Sequence, residues 1–278
     1  MPTTKLRRST VLANGINLFY RESDSRGTPM LCLHGKYGRG ETWTDLMARY
    51  GEHYRVIAPD QRGHGLSDHP RTRYAGGDFA DDALGLLNAL EANPAIVVGH
   101  SIGGRNAAYL AAHYPNAVKA LVILDAKASG PTDPAMPEIT SIAENDWLLS
   151  QLPTPYATRQ AAHDDIATRF PRPSNVRYWE DSLIETTAGY NFSLSRFAMA
   201  AIDACYRDWT HLLPQISCPV LLMRAAQSWY LPAEEATAMT AALHDCTYVE
   251  IADSDHMVYA DNPTAFHAAF DAFLQRAD

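Results

Sequence analysis

One short stretch, residues 99–104, constrains this chain more than any other. It reads Gly-His-Ser-Ile-Gly-Gly, follows the apolar run at 95–98 and precedes the alanine-rich run at 105–113. The first run predicts a buried strand and the second a helix, so Ser101 falls at the sharp turn between them. Glycines on both sides relieve crowding in a strained turn and leave the serine hydroxyl exposed at the strand end. The stretch therefore predicts a nucleophile elbow, a strand–turn–helix unit that presents a reactive serine.

The rest of the chain alternates apolar strands with helices. Asn14-Gly15 predicts a tight hairpin turn between two strands, at 8–13 and 16–21. Further strands are predicted at 29–33, 54–58, 118–124, 219–224 and 247–251, and helices at 43–50, 78–90, 233–243 and 263–275. Strands that alternate with helices form right-handed crossover units. We therefore predict an α/β fold with a mostly parallel sheet flanked by helices.

The alternation stops between residues 129 and 213. Seven prolines and several aromatic residues fall in this segment, which lacks an apolar run rich in β-branched residues. Such a composition favours short helices over strands. We therefore expect a core made of residues 1–128 and 214–278, with a helical cap inserted at residues 129–213.

The charge of the chain limits its partners. The 278 residues carry a formal net charge of -9 at pH 7, which disfavours a nucleic acid or an anionic membrane as a partner. Residues 1–10 are charged without an apolar core, and no apolar run approaches a membrane span, so neither a signal peptide nor an anchor is predicted. We expect a cytoplasmic protein that acts on a small molecule, with a homodimer left open as its assembly.

His256 is the strongest candidate among the 11 histidines for the base that a serine nucleophile needs. It follows the last predicted strand, at 247–251, and precedes the last helix. Because parallel strands end at the same edge of a sheet, the loop after that strand can reach Ser101. We therefore expect His256 to accept the serine proton.

Asp125 is the candidate for the acid that orients His256 and balances its charge. In such an architecture the acid usually follows the strand at 219–224, but residues 225–232 contain no carboxylate. Asp125 directly follows the strand at 118–124, where an unpaired carboxylate would be costly to desolvate. The alternative interpretation of Asp125 is a helix cap or a loop salt bridge.

Two backbone N–H groups are expected to bind the oxyanion of an acyl-transfer intermediate. One belongs to Ile102, at the start of the elbow helix, and the other to Lys36, in the loop that follows His-Gly at 34–35. The Lys36 side chain is interpreted as a solvated surface group. The polar loop at 60–68 lacks the Gly-Lys-Ser/Thr of a phosphate-binding loop, and we expect it to brace the site.

Taken in order, these motifs resemble the α/β-hydrolase superfamily. The resemblance rests on residues 34–35, 60–68, 99–104 and His256, and it covers the chain outside 129–213. It implies an α/β-hydrolase fold with an eight-stranded sheet. Meta-cleavage carbon–carbon hydrolases and enol-lactonases share this frame.

Within the superfamily, four stretches are most similar to hydrolases of the 2-(acetamidomethylene)succinate hydrolase type. These are residues 60–68, 99–106 and 224–228 and the strand that ends at Asp125. The similarity implies a triad acid after the sixth strand, which supports Asp125. It does not extend to residues 129–213, so no substrate is carried over.

The predicted function is hydrolysis of a carboxylic ester or lactone through an acyl-enzyme, without a metal or an organic cofactor. An amide, or a carbon–carbon bond beside a carbonyl, is the enzymatic alternative, because the same machinery cleaves all of them. A hydrolase-like ligand receptor is the alternative that is not an enzyme. Aromatic residues are predicted to line the substrate pocket, namely Trp147, Tyr156, Trp179, Tyr190, Trp229 and Tyr230.

Overall fold

A computed structural model describes residues 6–72 and 74–277. The prediction that residues 1–10 are not a signal peptide falls partly outside the described residues. The strands are β1 (Leu6–Ala13), β2 (Ile16–Ser23), β3 (Pro29–Leu33), β4 (Arg55–Pro59), β5 (Ala95–His100), β6 (Val118–Leu124), β7 (Leu183–Thr186), β8 (Gly189–Phe192), β9 (Val220–Ala225) and β10 (Cys246–Ile251). Eight of them form one sheet in the order β1-β2-β4-β3-β5-β6-β9-β10. The predicted fold class is confirmed.

Ten α-helices are present in the described part of the chain. They are α1 (Thr44–Tyr50), α2 (Gly76–Ala89), α3 (Ile102–His113), α4 (Trp147–Ser150), α5 (Arg159–Arg169), α6 (Pro173–Glu180), α7 (Arg196–Ala204), α8 (Ala233–Ala242), α9 (Val258–Asp261) and α10 (Pro263–Ala277). Short 3-10 helices cover Gly40–Trp43, Pro115–Ala117, Ile139–Ser141 and Thr210–Gln215. None of the described helices has both the length and the apolar character needed to cross a bilayer.

The sheet brings the carboxyl ends of its central strands to one edge. β1 and β2 pair antiparallel, as do β2 and β4, whereas β4, β3, β5, β6, β9 and β10 run parallel. Leu33 of β3 and Leu124 of β6 pair with Gly99 and His100 at the end of β5. The loops that follow these strands therefore meet beside Ser101.

Alternating side chains of the central strands fill two apolar layers. Val97 and Leu121 face the layer formed with α2, α3 and α8. Val98 and Val122 face the opposite layer, formed with α1 and α10, where Phe270 is fully buried. Parallel strands covered on both faces are apolar throughout, which makes the sheet a rigid base for the loops at its edge.

Residues 129–213, here called the insertion, lie between β6 and β9 and contain α4 to α7. The prediction of helices alone is wrong, because β7 and β8 pair as an antiparallel hairpin. Each of these strands has only four residues, and neither shows a sustained apolar alternation. A Gly189 φ of 119° provides the turn, a conformation that favours glycine.

Candidate active site

Ser101 occupies the sharp turn between β5 and α3. Its φ is 55° and its ψ is -122°, and its N–H donates to the Leu124 carbonyl at 3.0 Å. A Cβ at Gly99 would lie 2.2 Å from the Gly103 carbonyl oxygen, and one at Gly103 would lie 2.2 Å from that of Leu33. Only glycine fits at both positions, so the motif spacing follows from close backbone packing.

Asp125 and His256 form a buried pair at the strand-end edge. His256 Nδ1 lies 2.7 Å from Asp125 Oδ2, and the exposed fractions of the two side chains are 9% and 0%. A carboxylate accepts only, so the bond assigns the proton to Nδ1 and leaves Nε2 as an acceptor. The structure therefore brings together the predicted base and the predicted acid.

Two further donors hold the Asp125 carboxylate. The Ala225 N–H donates to Oδ1 at 3.0 Å, and the Ser228 hydroxyl donates to Oδ2 at 2.7 Å. Asp125 itself has a φ of 45°, which turns the chain away from β6. Ser228, which stands where the usual acid would be, thus contacts the acid that the chain has instead.

Lys36 and Ile102, whose backbone amides are the predicted oxyanion donors, lie at the same cavity as Ser101. Within residues 6–72 and 74–277, neither amide donates a hydrogen bond to a backbone group. Neither amide is thus taken up by such a bond, and their role as oxyanion donors stays a prediction.

A chain of buried amides connects α3 with the loop that carries Lys36. The Asn106 side chain donates to Gln61 Oε1 at 2.8 Å. Gln61 then donates twice to His34, from its side chain to the carbonyl at 2.6 Å and from its N–H to Nε2 at 3.0 Å. Asn106 therefore helps to fix the loop that carries Lys36.

Asp60 explains why the loop at 60–68 is polar. Its carboxylate accepts from Arg21 at 2.8 Å, from the Gly40 N–H at 2.7 Å and from the Leu66 N–H at 2.9 Å. All of Asp60 is buried, and a buried carboxylate needs such partners. The loop thus braces the segment after β3.

The Lys36 side chain is not a solvated surface group, so that prediction is wrong. Its Nζ lies 2.8 Å from Asp146 and 2.6 Å from Asp203, and only 13% of the side chain is exposed. The Tyr37 hydroxyl donates to the same Asp146 at 3.1 Å. Both aspartates belong to the insertion, more than 100 residues along the chain, and no local pattern connects them to Lys36.

A cavity of about 440 Å³ contains Ser101 and His256. Four of the six predicted aromatic residues line it, namely Trp147, Trp179, Trp229 and Tyr230. Sequence reasoning missed other lining residues, namely Tyr37, Phe170, Asn175, Tyr178, Tyr206 and Met257. Tyr37 could have been predicted as a lining residue, because it directly follows Lys36 in the chain.

Tyr156 and Tyr190 do not line this cavity, which corrects the prediction for these two residues. They pair through their backbones, with two hydrogen bonds of 2.8 Å. The Tyr156 hydroxyl donates to Asp165 at 2.7 Å, and its ring packs edge-on against Phe192. Both tyrosines therefore stabilise the insertion itself, Tyr156 through its backbone, hydroxyl and ring and Tyr190 through its backbone.

Three histidines are buried around the site. His34, His64 and His100 have exposed fractions of 1% or less. Burial lowers the pKa of His34 to about 3 and lowers the pKa values of His64 and His100 well below the usual value. No group of three or more His, Cys, Asp or Glu side chains in the described chain is arranged to hold a metal ion.

Acidification is expected to destabilise the fold through these histidines. Their pKa values are lowered in the folded chain, whereas unfolded histidines titrate near about 6.5. Below that pH the unfolded chain binds more protons, so each buried histidine removes about 1.4 kcal/mol of unfolding free energy per pH unit. Urea unfolding between pH 7 and about pH 5 measures this slope.

A matched pair of variants identifies the source of that slope. His64→Asn removes one buried titrating group and should make the slope shallower by about 1.4 kcal/mol per pH unit. His211→Asn, at an exposed position, should leave the slope unchanged. An unfolding free energy that stays constant from neutral to acid pH would contradict the expectation.

Comparison with known proteins establishes the class. Residues 28–263 match the family model described as the alpha/beta hydrolase fold. The chain therefore belongs to the α/β-hydrolase family, as the motifs predict, and it is a hydrolase of that superfamily.

Two relatives and one crystal structure show which hydrolases of the family this chain resembles. The chain is 31% identical to 2-(acetamidomethylene)succinate hydrolase of Mesorhizobium japonicum over 264 residues, which cover 93% of this chain and 92% of the relative. It is 24% identical to (E)-2-((N-methylformamido)methylene)succinate hydrolase of Acinetobacter baylyi, with 97% and 98% covered. The crystal structure of E-2-(acetamidomethylene)succinate hydrolase superimposes with a TM-score of 0.83 at 29% identity, covering 98% of this chain and all of that one. These alignments include residues 129–213, although the motifs that carry the resemblance lie outside that segment.

Proposed function

We propose that the protein is a serine hydrolase that cleaves an acyl bond of a small organic substrate through an acyl-enzyme. The observation that carries the proposal is the buried 2.7 Å pair of Asp125 and His256 beside the strained Ser101. A strained serine at a helix start, near a histidine held by a carboxylate, is the arrangement that acyl transfer requires.

The reaction then proceeds in two balanced halves. The Ser101 hydroxyl adds to the acyl carbonyl while His256 Nε2 takes its proton and later gives it to the leaving group. The Lys36 and Ile102 N–H groups stabilise the oxyanion. Water then adds to the acyl-serine, again losing a proton to His256, and the carboxylic acid leaves as Ser101 regains its proton.

The insertion acts as a cap in this proposal. It contributes Trp147, Phe170 and Trp179 to the cavity wall, and Tyr178 donates from α6 to the Lys36 carbonyl at 3.0 Å. Ser182 likewise donates to the Tyr37 carbonyl at 2.6 Å. The cap therefore both encloses the substrate and holds the loop that supplies an oxyanion donor.

The bond cleaved is a carboxylic ester or a lactone. An apolar cavity with few polar groups suits a small neutral acyl compound. An amide is the second candidate, because the Mesorhizobium japonicum relative is named for the hydrolysis of 2-(acetamidomethylene)succinate. An acid after the sixth strand supports this second candidate too, since the resemblance implies the same position.

A fluorophosphonate probe and a substrate panel test the proposal. The probe should form one adduct, on the peptide that contains Ser101, and abolish hydrolysis of p-nitrophenyl esters. Lactones, p-nitroanilides and 2-(acetamidomethylene)succinate, assayed in parallel, rank the bonds by kcat/KM. An adduct on another serine with parallel loss of activity would overturn the assignment of Ser101.

A further inference from the structure

Lys36, Asp146 and Asp203, here called the Lys36 cluster, place charged groups at the wall of the cavity. Lys36 Nζ contacts both carboxylates, at 2.8 and 2.6 Å, and lies 4.6 Å from the centre of the Tyr37 ring. Asp146 is buried and caps α4 through the Leu149 N–H at 2.9 Å. The cluster has one formal positive charge and two negative charges, so its net charge is negative.

The ammonium group of Lys36 is therefore committed to the protein. Among the described residues that line the cavity, Lys36 is the one lysine or arginine. A substrate carboxylate that approached Lys36 Nζ would compete with Asp203 for the ammonium and would face the negative charges of both aspartates. That approach weakens a hydrogen-bonded ion pair and adds repulsion between like charges.

Two other cations near the cavity lie behind aromatic rings. The Arg105 guanidinium sits 5.4 Å from the centre of the Tyr206 ring, and Lys127 Nζ sits 5.4 Å from that of Tyr230. Both rings line the cavity, whereas Arg105 and Lys127 do not. Burial also lowers the pKa of Arg105. A carboxylate in the cavity would therefore contact these rings directly and would meet the two cations only across them.

We infer that the Lys36 cluster makes the site selective for acyl groups that carry no free carboxylate, with an uncharged aromatic or apolar body. The aromatic wall supplies the contact area for such a body. Asp203 determines the selectivity because its negative charge neutralises Lys36 from the cavity side. This inference rests on the proposed function, in which the acyl group is bound beside Ser101.

Boronic acids measure the selectivity without a known substrate, because boron adds reversibly to an activated serine. The pair 4-carbamoylphenylboronic acid and 4-carboxyphenylboronic acid has nearly the same shape and differs in charge. We expect the carbamoyl compound to bind about ten- to thirtyfold more tightly, the factor for one unit charge about 8–12 Å away at an effective dielectric constant of about 20. The Kd values follow from tryptophan fluorescence or from inhibition of ester hydrolysis.

Asp203→Asn is the decisive variant. Its side chain is 66% exposed on α7, so the substitution should leave the fold intact, whereas Asp146 is buried and also accepts from the Tyr37 hydroxyl. Freeing one side of Lys36 should reduce the Kd ratio of the two boronic acids by about tenfold. Asp164→Asn, an exposed carboxylate of the insertion outside the cavity lining, is the matched control and should retain the original ratio.

Two results overturn the inference. One is a Kd ratio near or below unity in the unaltered protein, and the other is an equal ratio in Asp203→Asn and Asp164→Asn. Either result leaves the proposed function standing if the fluorophosphonate still labels Ser101. Absence of both probe labelling and boronate binding would instead remove the proposed function, and the inference with it.

Discussion

Replacing Ser101 by alanine is expected to reduce kcat for the best ester substrate by about 10⁶-fold. The substitution removes the atom that forms the acyl-enzyme, so neither the base nor the oxyanion donors can act as a unit. The φ of 55° at position 101 is strained for any residue with a Cβ. Serine already bears this strain, so replacing it by alanine adds none. We therefore expect an unchanged melting temperature within about 2 °C.

Ser193→Ala is the matched control for this experiment. Ser193 is as buried as Ser101, with exposed fractions of 6% and 8%, and its hydroxyl donates to the Gly65 carbonyl at 3.0 Å outside the cavity. Loss of that bond should cost about 1 kcal/mol of stability and leave kcat unchanged. If Ser101→Ala retained more than about a hundredth of the activity, covalent catalysis at Ser101 would be excluded.

The sheet and the candidate triad could be predicted because their signals are local. The elbow is a strand, a serine and a helix within a few residues, and its glycines follow from steric contacts as short as 2.2 Å. Asp125 and His256 are far apart in sequence, yet Asp125 directly follows β6 and His256 lies in the loop after β10. Topology alone then brings the two side chains to one edge.

The cavity wall could not be predicted to the same depth. Lys36 contacts Asp146 and Asp203 across 110 and 167 residues, and the short helices of the insertion have no register with any motif. Tyr156 and Tyr190 are aromatic, as pocket residues often are, but they pair with each other inside the insertion. Side-chain type identifies residues that can line a pocket, and only packing decides which of them do.

The carboxylate of Asp125 is expected to make the second-largest contribution to the rate, after the nucleophile. Asp125→Asn should lower kcat by up to about 10⁴-fold. An amide nitrogen opposite His256 Nδ1 would favour the tautomer with its proton on Nε2, which cannot accept the Ser101 proton. The Asn oxygen can still accept from the Ala225 N–H at 3.0 Å, so the fold should persist.

A variant of a second buried aspartate, Asp82, distinguishes a loss of catalysis from a loss of stability. Asp82 is also buried, and Arg62 holds it with two hydrogen bonds of 2.6 and 2.7 Å. Asp82→Asn weakens this buried pair and should lower the unfolding free energy by up to about 3 kcal/mol, with little change in kcat. Asp125→Asn should therefore keep its unfolding free energy and lose kcat, whereas Asp82→Asn should lose unfolding free energy and keep kcat. Unfolding followed by circular dichroism, together with kcat, measures both quantities on each variant.

The position of Ser228 allows a rescue of the Asp125→Asn variant. Ser228 Oγ and His256 Nδ1 donate to the same oxygen of Asp125, each at 2.7 Å, so a carboxylate at position 228 would approach the same imidazole nitrogen. The double variant Asp125→Asn with Ser228→Asp should recover about ten- to a hundredfold in kcat, because the nitrogen regains an anionic acceptor. Ser228→Asp alone should not increase the rate, since two carboxylates would then compete for one imidazole.

The other carboxylates near the site are expected to contribute little to kcat. Glu235 accepts from the Ala128 and Ser129 N–H groups at 2.7 Å, and Asp255 contacts Arg172 at 3.3 Å. Glu235→Gln and Asp255→Asn should therefore change kcat by less than about tenfold. If one of them abolished activity while Asp125→Asn remained nearly fully active, the acid would not follow β6, and the 2.7 Å bond to His256 would be a structural contact without a part in proton transfer.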